Sequence, residues 1–392
     1  MAEGIKIRTY FPSLDALRFL GALAIMLIHT GGISARNGGG ISRFEQYIHN
    51  YGHPAVSMFF VLSGFLITYL LLSEKKETGT IDLKGYYVRR TLRIWPLYFL
   101  ILVIGFFILP LVLPGVSNKF DGVIHRHYWV YLIGCIFFLS PLLKGFGGMP
   151  ETFGPIWSVG VEELFYLCWP VFLRKAKNVA FLLIGVVAAV VCLRNGFFIG
   201  VHLTGLKFSH PHIFYSLLEI IMEYRFSCMA IGGLAAYLLL SDRKDILNFL
   251  FRKDVQYGVY VFTIVLLIFR IGIKNPANES FISVGHEVYA VLFAYFILNL
   301  AANPQSVLNL NYKWLNYLGK ISYGIYLYHP LMRVLMFVSI QQIWGEHEMS
   351  KPVIVLFYLA TIVTTILTAM LSYEFFEKRF LNLKTKFLKP QA

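Results

Sequence analysis

Apolar residues run along this chain in long stretches, and short segments carrying most of the charge separate them. Ten stretches are long enough to be read as helices crossing a hydrocarbon layer: 14–33, 54–73, 90–113, 157–173, 178–199, 214–240, 255–273, 286–302, 317–342 and 353–376. An eleventh, YWVYLIGCIFFLSPLL at 128–143, is short and ends at Ser140-Pro141. The pattern predicts an all-α, polytopic bundle of about ten transmembrane helices. The 128–143 stretch is expected as a re-entrant or interfacial segment in a long outer loop, which requires that protein bury it.

Charge decides between ten spans and eleven. With ten spans and a cytoplasmic N-terminus, 22 of the 35 lysines and arginines are counted inside and ten outside, those near the end of a stretch (Arg194 and Arg270 among them) being assigned to the adjacent side, and Arg18, Arg225 and Arg333 are counted within spans. Promoting 128–143 to a full span reverses everything after it and leaves 14 inside against 18 outside. The positive-inside bias therefore selects ten, with both termini cytoplasmic. The N-terminus MAEGIKIRTYFPS leads into an apolar segment without a small-residue cleavage site and reads as a retained signal-anchor. The largest loop, 114–156, leaves no room for a soluble domain, so residues 1–392 are expected to form a single transmembrane domain with none appended. No internal repeat stands out, which weakens an inverted-repeat transporter.

Composition agrees with a membrane location, expected to be the plasma (bacterial cytoplasmic) membrane. The chain is 57% hydrophobic and 14% charged, against about 25% charged in soluble domains, and its mean hydropathy is +0.64. A net charge of +14 would raise nucleic-acid binding in a soluble protein. Here the positive residues sit mostly between apolar runs, so membrane lipid is the expected partner and nucleic acid is not. Cys135, Cys168, Cys192 and Cys228 are scattered through apolar stretches without CxxC spacing and read as packing residues.

Against this background, ionisable residues at membrane depth carry the chemical signal. RFLGALAIMLIH at 18–29 places Arg18 and His29 eleven residues apart, within about 20° of one helix face and roughly 16 Å along it. Glu162 and Glu163 are expected two turns below the outer surface, near the level of His29. Glu219, Glu223 and Arg225 fall in the outer half of another span, and Ser322, Tyr323, His329 and Arg333 follow along a further one. Ahead of the third span, YYVRRTLRIWPLY gathers Arg89, Arg90 and Arg93. These read either as a topology signal or as an anion clamp, Arg90 and Arg93 being neighbours at i,i+3 near a helix start. The His125/His127 and His210/His212 pairs lack further ligands for zinc, and no metal site is expected. GGISARNGGG has neither the preceding strand nor the following lysine of a phosphate loop. No hydrolase motif is present.

Five segments, in order, resemble the signatures of the membrane acyltransferase-3 family. FPSLDALRFLGALAIMLIH resembles its opening arginine-x10-histidine helix, MFFVLSGFLITYLL its second helix, and VRRTLRIWPLY its RRxxRIxPxY element. IWSVGVEELFYLCWP resembles its WSxxVEExFY segment, and ISYGIYLYHP its SYxxYLxH segment. Ala16, Gly160 and Leu164 depart from the residues common there (glycine, serine and glutamine, respectively).

The resemblance implies transfer of an acyl group, most often acetyl, from cytoplasmic acyl-CoA to a hydroxyl of a lipid-linked or cell-surface glycan. Arg90 and Arg93, with Arg89, would hold the CoA phosphates. His29 would act as general base, or carry a transient acyl group, and Glu162 or Glu163 would orient it. Arg18, Ser322 or Tyr323 would donate to the thioester or its oxyanion. The competing reading is an exporter of a glycan or small acyl compound that does no chemistry. The discriminating features are a clamp at one mouth and a histidine at the other, where an alternating-access transporter would gather its site centrally.

Overall fold

A computed structural model describes residues 10–36, 51–146, 148–204, 225–269, 271, 285–345 and 350–384. Among these the chain is helical, with no strand. Glu219, Glu223, His210 and His212 lie outside the described residues, as do residues 37–40 of the glycine-rich run.

In their described parts, the ten apolar stretches are helical. We label the principal helices α1 (Pro12–Arg36), α2 (Gly52–Thr78), α3 (Leu83–Val103), α4 (Tyr128–Ile136), α5 (Ile156–Lys175), α6 (Val179–Thr204), α7 (Phe226–Leu240), α8 (Lys253–Ile268), α9 (Gly285–Ala302), α10 (Lys313–Lys320), α11 (Ser322–Trp344) and α12 (Lys351–Ser372). Among the described residues, seven helical segments are long and apolar enough to cross a membrane: Pro12–Gly31, Pro54–Thr78, Leu83–Val112, Ile156–Lys175, Val179–Phe197, Gly285–Ala302 and Lys351–Leu383. The other three expected spans fall short for separate reasons. The described part of α7 has 15 residues and α8 has 16. α11 has 23, and its histidine, arginine and proline dilute its apolar content.

The expected re-entrant stretch is a short helix, α4, that stops at Phe138, whose backbone is left-handed (φ 59°), before a 3-10 turn over Ser140–Phe146. Phe138 packs its ring on Tyr98 of α3 at 4.6 Å and on Trp95 at 5.6 Å. Gly160 of α5 admits this turn: a Cβ there would lie 2.6 Å from both the Phe138 carbonyl and Ser140 Oγ. The departure from the family pattern at Gly160 thus has a local packing reason.

The bundle has an apolar surface, and its apolar core encloses a few charged residues. Leu111 and Phe181 are 82% and 78% exposed, whereas His329, Arg194 and Arg225 are 0%, 1% and 2% exposed. A few charged residues buried beneath an apolar surface suit surroundings of lipid. Arg194, counted on the outer side by the sequence pattern, lies within α6 and forms a bidentate pair with Glu287 of α9 at 3.2 and 2.8 Å. Ser227 of α7 also donates to Glu287, at 2.7 Å.

Helix ends are set by local chemistry. Asp82 caps α3 by accepting from the Gly85 N–H at 3.1 Å. Gly79 closes α2 in the left-handed conformation (φ 76°) and donates to Lys75 O. Lys75 in turn reaches the C-terminal carbonyls of α5 at Leu173, Arg174 and Ala176, at 2.9, 3.2 and 3.2 Å. This ties together the ends of α2 and α5 that the charge pattern assigns to the inner surface.

Small residues set the closest helix crossing. A Cβ on Gly64 of α2 would sit 1.9 Å from Met229 O, and one on Gly232 of α7 would sit 2.0 Å from Val61 O. Neither backbone can retreat without separating the helices. Gly232→Leu is therefore expected to destabilise the detergent-solubilised protein by about 1–3 kcal/mol or more, seen as a lower melting temperature. Gly258→Ala on α8, where an added Cβ meets nothing within 4 Å, should leave the melting temperature within a degree or so of wild type.

Candidate active site

Two polar clusters sit on the same few helices. The first gathers around α3. Arg90 lies between two aromatic faces, 5.8 Å from the Tyr86 ring and 5.4 Å from that of Tyr166. Arg93, one turn on, has Arg18, Arg90, Asp15 and Glu377 among its charged neighbours. Arg18 is held by Asp15 at 2.8 Å on its own helix. Among the described residues, neither Arg90 nor Arg93 has a carboxylate within ion-pair distance. Arg89 turns instead to Glu74 at 3.6 Å, so the expected three-arginine group resolves into two residues of the cluster and one engaged beside it.

Glu162 and Glu163 belong to this cluster and not to His29. Glu162 accepts from Ser63 at 2.8 Å and from Tyr166 at 3.0 Å, and Arg18 and Arg90 are among its charged neighbours. Glu163 accepts from the Trp95 indole N–H at 3.0 Å, and its other oxygen, Oε1, is buried without a hydrogen-bond partner. Consecutive positions on a helix differ by 100°, so one glutamate faces α2 and the other faces α3. Ser322 donates to Gly319 O at 2.7 Å and serves the break between α10 and α11. Tyr323 donates to Ile94 O at 3.0 Å, beside Arg93 and in the turn that Pro96 loosens.

The second cluster is built on α1 and α11. His29 Nδ1 lies 2.9 Å from His329 Nε2, with the rings nearly parallel at 19° and their centres 5.2 Å apart. His329 Nδ1 in turn lies 2.7 Å from the carbonyl oxygen of Tyr326. Arg333, one turn further along α11, donates to His29 O at 2.8 Å, to Glu151 O at 3.0 Å and to Glu151 Oε2 at 2.5 Å. It thereby fastens the segment before α5 to both helices of the histidine pair. Sequence reasoning placed His329 and Arg333 at depth but gave neither a role. The available signal was the His329-Pro330 dipeptide inside an apolar helix, where proline leaves a carbonyl unpaired one turn back.

Tyr326 and Ser158 lie between the clusters. Their hydroxyls are 2.6 Å apart, and both reach the Pro155 carbonyl, at 3.2 and 3.0 Å. Ser158 stands one turn above Glu162 on α5, about 6 Å along the axis, and Glu162 is a charged neighbour of Tyr326. The order along the bundle is Arg90 and Arg93, then Glu162, then Ser158 and Tyr326, then the histidines. Among the described residues no group of three or more potential metal ligands converges.

Comparison with known proteins adds to this geometry. The relative named "Putative O-acetyltransferase SACOL0978" of Staphylococcus aureus (strain COL) is 28% identical over 399 residues, covering 96% of this chain and 58% of the relative. The O-acetyltransferase OatA of Staphylococcus aureus (strain NCTC 8325 / PS 47) is 26% identical over 385 residues, covering 94% of this chain and 57% of the relative. The chain thus spans little more than half the length of these relatives. No solved structure matches it. The family model for the Acyl_transf_3 acyltransferase domain matches residues 11–373 and takes in both clusters; the chain belongs to the acyltransferase-3 family.

Proposed function

We propose that this protein transfers an acyl group, acetyl foremost, from cytoplasmic acyl-CoA through the membrane to a hydroxyl of an extracytoplasmic or lipid-linked glycan. The observation that carries the reading is the separation of the two clusters within one acyltransferase-family chain. Arg90 and Arg93, with no carboxylate within ion-pair distance among the described residues, lie at one end, a histidine pair lies at the other, and hydroxyls and a carboxylate lie between. The O-acetyltransferase names of the relatives support acetyl as the group carried. In this reading all ten helical stretches cross the plasma membrane, both termini are cytoplasmic, and 128–143 dips in from the outer side. The domain is then a single transmembrane unit.

Arg90 and Arg93 suit the phosphates of CoA. Guanidinium groups bind phosphate through charge-assisted hydrogen bonds, and Tyr86 and Tyr166 preset the orientation of Arg90. The pantetheine arm would run past Glu162 and Glu163, where the buried, unpartnered Glu163 Oε1 can meet an amide N–H. Arg18 and Tyr323 flank this inner stretch and suit donor contacts better than contacts to the reacting carbonyl. Ser322 supports the helix break that positions Tyr323.

At the outer cluster His29 takes the proton of the acceptor hydroxyl as its oxygen attacks the thioester carbonyl carbon. The C–S bond then breaks and the departing sulfur receives that proton, giving the ester and free CoA thiol. His29→Ala is expected to lower turnover by about 10²–10⁴-fold while donor binding stays near wild type. Steady-state transfer and calorimetric titration of acetyl-CoA on the same folded sample check both halves. Near-normal turnover would remove His29 from the chemistry.

Arg90→Ala and Arg93→Ala should each weaken acetyl-CoA binding by about tenfold or more. The loss should be largest at low salt, because exposed charge contacts are screened as ionic strength rises. Unchanged affinity in correctly oriented protein would leave the arginines as topology signals alone.

Sidedness tests the whole scheme. The two clusters are separated by on the order of 20 Å of a hydrocarbon core of about 30 Å. In oriented vesicles, acetyl-CoA supplied on the cytoplasmic face should acylate a glycan confined to the other face. An exporter would instead move unmodified glycan or intact donor and form no covalent product. Equal activity with acetyl-CoA supplied only outside would overturn transfer across the membrane.

A further inference from the structure

The histidine pair contains more information than a contact distance, because one of its four ring nitrogens faces a group that can only accept. Pro330 has no N–H to give to the carbonyl four residues back, which is that of Tyr326. That carbonyl is left within the helix without its backbone donor, and His329 Nδ1 lies 2.7 Å from it. The nitrogen must therefore carry a proton and donate. With both rings uncharged, His329 Nε2 then holds a lone pair, and the nitrogen 2.9 Å away, His29 Nδ1, must carry the proton of their shared hydrogen bond. The remaining nitrogen of His29, Nε2, is left as the accepting atom.

We propose that His329 is the positioning residue for His29. Its tautomer is fixed by the Tyr326 carbonyl that Pro330 releases, and it holds the His29 ring with Nδ1 protonated and Nε2 presented to the acceptor hydroxyl. The proposal rests on the reading of His29 as the base. His329 thus fills the role that a carboxylate plays for histidine in a catalytic triad, orienting the ring and supporting the proton it gains. During transfer the hydroxyl proton moves to His29 Nε2 and leaves from there to the CoA sulfur. The two protons on Nδ1 of His29 and Nδ1 of His329 remain within the hydrogen-bonded pair, and no other reactant is consumed. Among the described residues, the charged groups packed against the pair are Arg333 and Glu151, and these are bound to one another.

The full-length protein, purified with 15N-labelled histidine, tests the tautomer and the activity separately. In the resting wild type, the Nδ1 resonance of His29, assigned by its loss in His29→Ala, should be of the protonated type and Nε2 of the lone-pair type. His329→Phe keeps a ring of similar size and removes the acceptor. It should lower kcat by about 10²-fold, leave the KM for acetyl-CoA within about threefold, and abolish the single His29 tautomer. His329→Gln can offer Oε1 near the position of Nε2 and should recover at least about tenfold of that loss. Pro330→Ala returns a backbone N–H to the Tyr326 carbonyl, so it should mix the His29 tautomers in a protein that is no less stable.

His29 protonated at Nε2 in the wild type would overturn the proposal. So would a His329→Phe turnover within about threefold of wild type, or equal losses in the Phe and Gln variants, which would mark a packing role. Failure of the wild type to transfer acetyl while it binds acetyl-CoA would instead remove the base reading. The tautomer, read from the resting protein, stands or falls apart from that result.

Discussion

Inside a hydrocarbon layer no water is present to satisfy a polar group, so every buried donor and acceptor must find its partner within the protein or remain unpaired at a cost of several kcal/mol. The arrangement of this molecule follows from that constraint. Arg194, Glu287 and Ser227 come from three helices and would each be costly alone; together they form one bonded group. The last carbonyls of α5, which no helical N–H can reach, are taken by Lys75 from α2. The Tyr326 carbonyl, deprived of its donor by Pro330, is taken by His329. In each case a backbone or charge deficit on one helix is met by a side chain, and except in the last case that side chain belongs to another helix.

The same constraint explains why the two clusters stay apart. Arg18, Arg90 and Arg93 bring three positive charges close together, with Asp15 and the two glutamates nearby. A histidine placed among them would meet unfavourable charge whenever it gained a proton. Helix α1 resolves this by length: it contributes Arg18 to one cluster and His29 to the other, on nearly one face and about 16 Å apart. Glu162, Ser158 and Tyr326 fill that interval with groups that accept or share hydrogen bonds without adding positive charge. A thioester drawn along this line would leave its anionic end among arginines and bring its carbonyl to a base.

Much of this was legible in the sequence. The helices were, because hydrocarbon selects for long apolar stretches that a hydropathy pattern exposes directly. The shared face of Arg18 and His29 followed from helix geometry alone, and the five motifs pointed to the family now established over residues 11–373. Side-chain partners across helices were much less legible. Depth arguments put Glu162 and Glu163 level with His29, but depth does not give azimuth, and the two face Ser63 and Trp95 instead. His329, which meets the ring of His29, lies 300 positions away on α11, and no local spacing encodes that pairing. Gly160 is legible in the sequence only as a departure from the family pattern; the Phe138 turn that packs against it and leaves no room for a side chain is not. Seven segments rather than ten meet the length and apolarity of a span because α11 carries the polar residues of the site and the described parts of α7 and α8 are short.

A histidine oriented by a second histidine is a reasoned arrangement for this setting. Burying an ionised carboxylate beside His29 would cost several kcal/mol in desolvation before it supported anything. A helix carbonyl freed by proline is already desolvated, and leaving it unpaired would itself cost about 1–3 kcal/mol. His329 relieves that cost by donating to it, and in doing so its far nitrogen becomes the acceptor that orients His29. One neutral residue thus satisfies the backbone deficit of its own helix and sets the proton on the neighbouring ring. The proline that looks disruptive in ISYGIYLYHP is what makes both possible, since a residue with an N–H at position 330 would compete for the same carbonyl. The local defect in α11 and the chemistry assigned to α1 are therefore coupled through a single hydrogen-bonded chain: Tyr326 carbonyl, His329, His29.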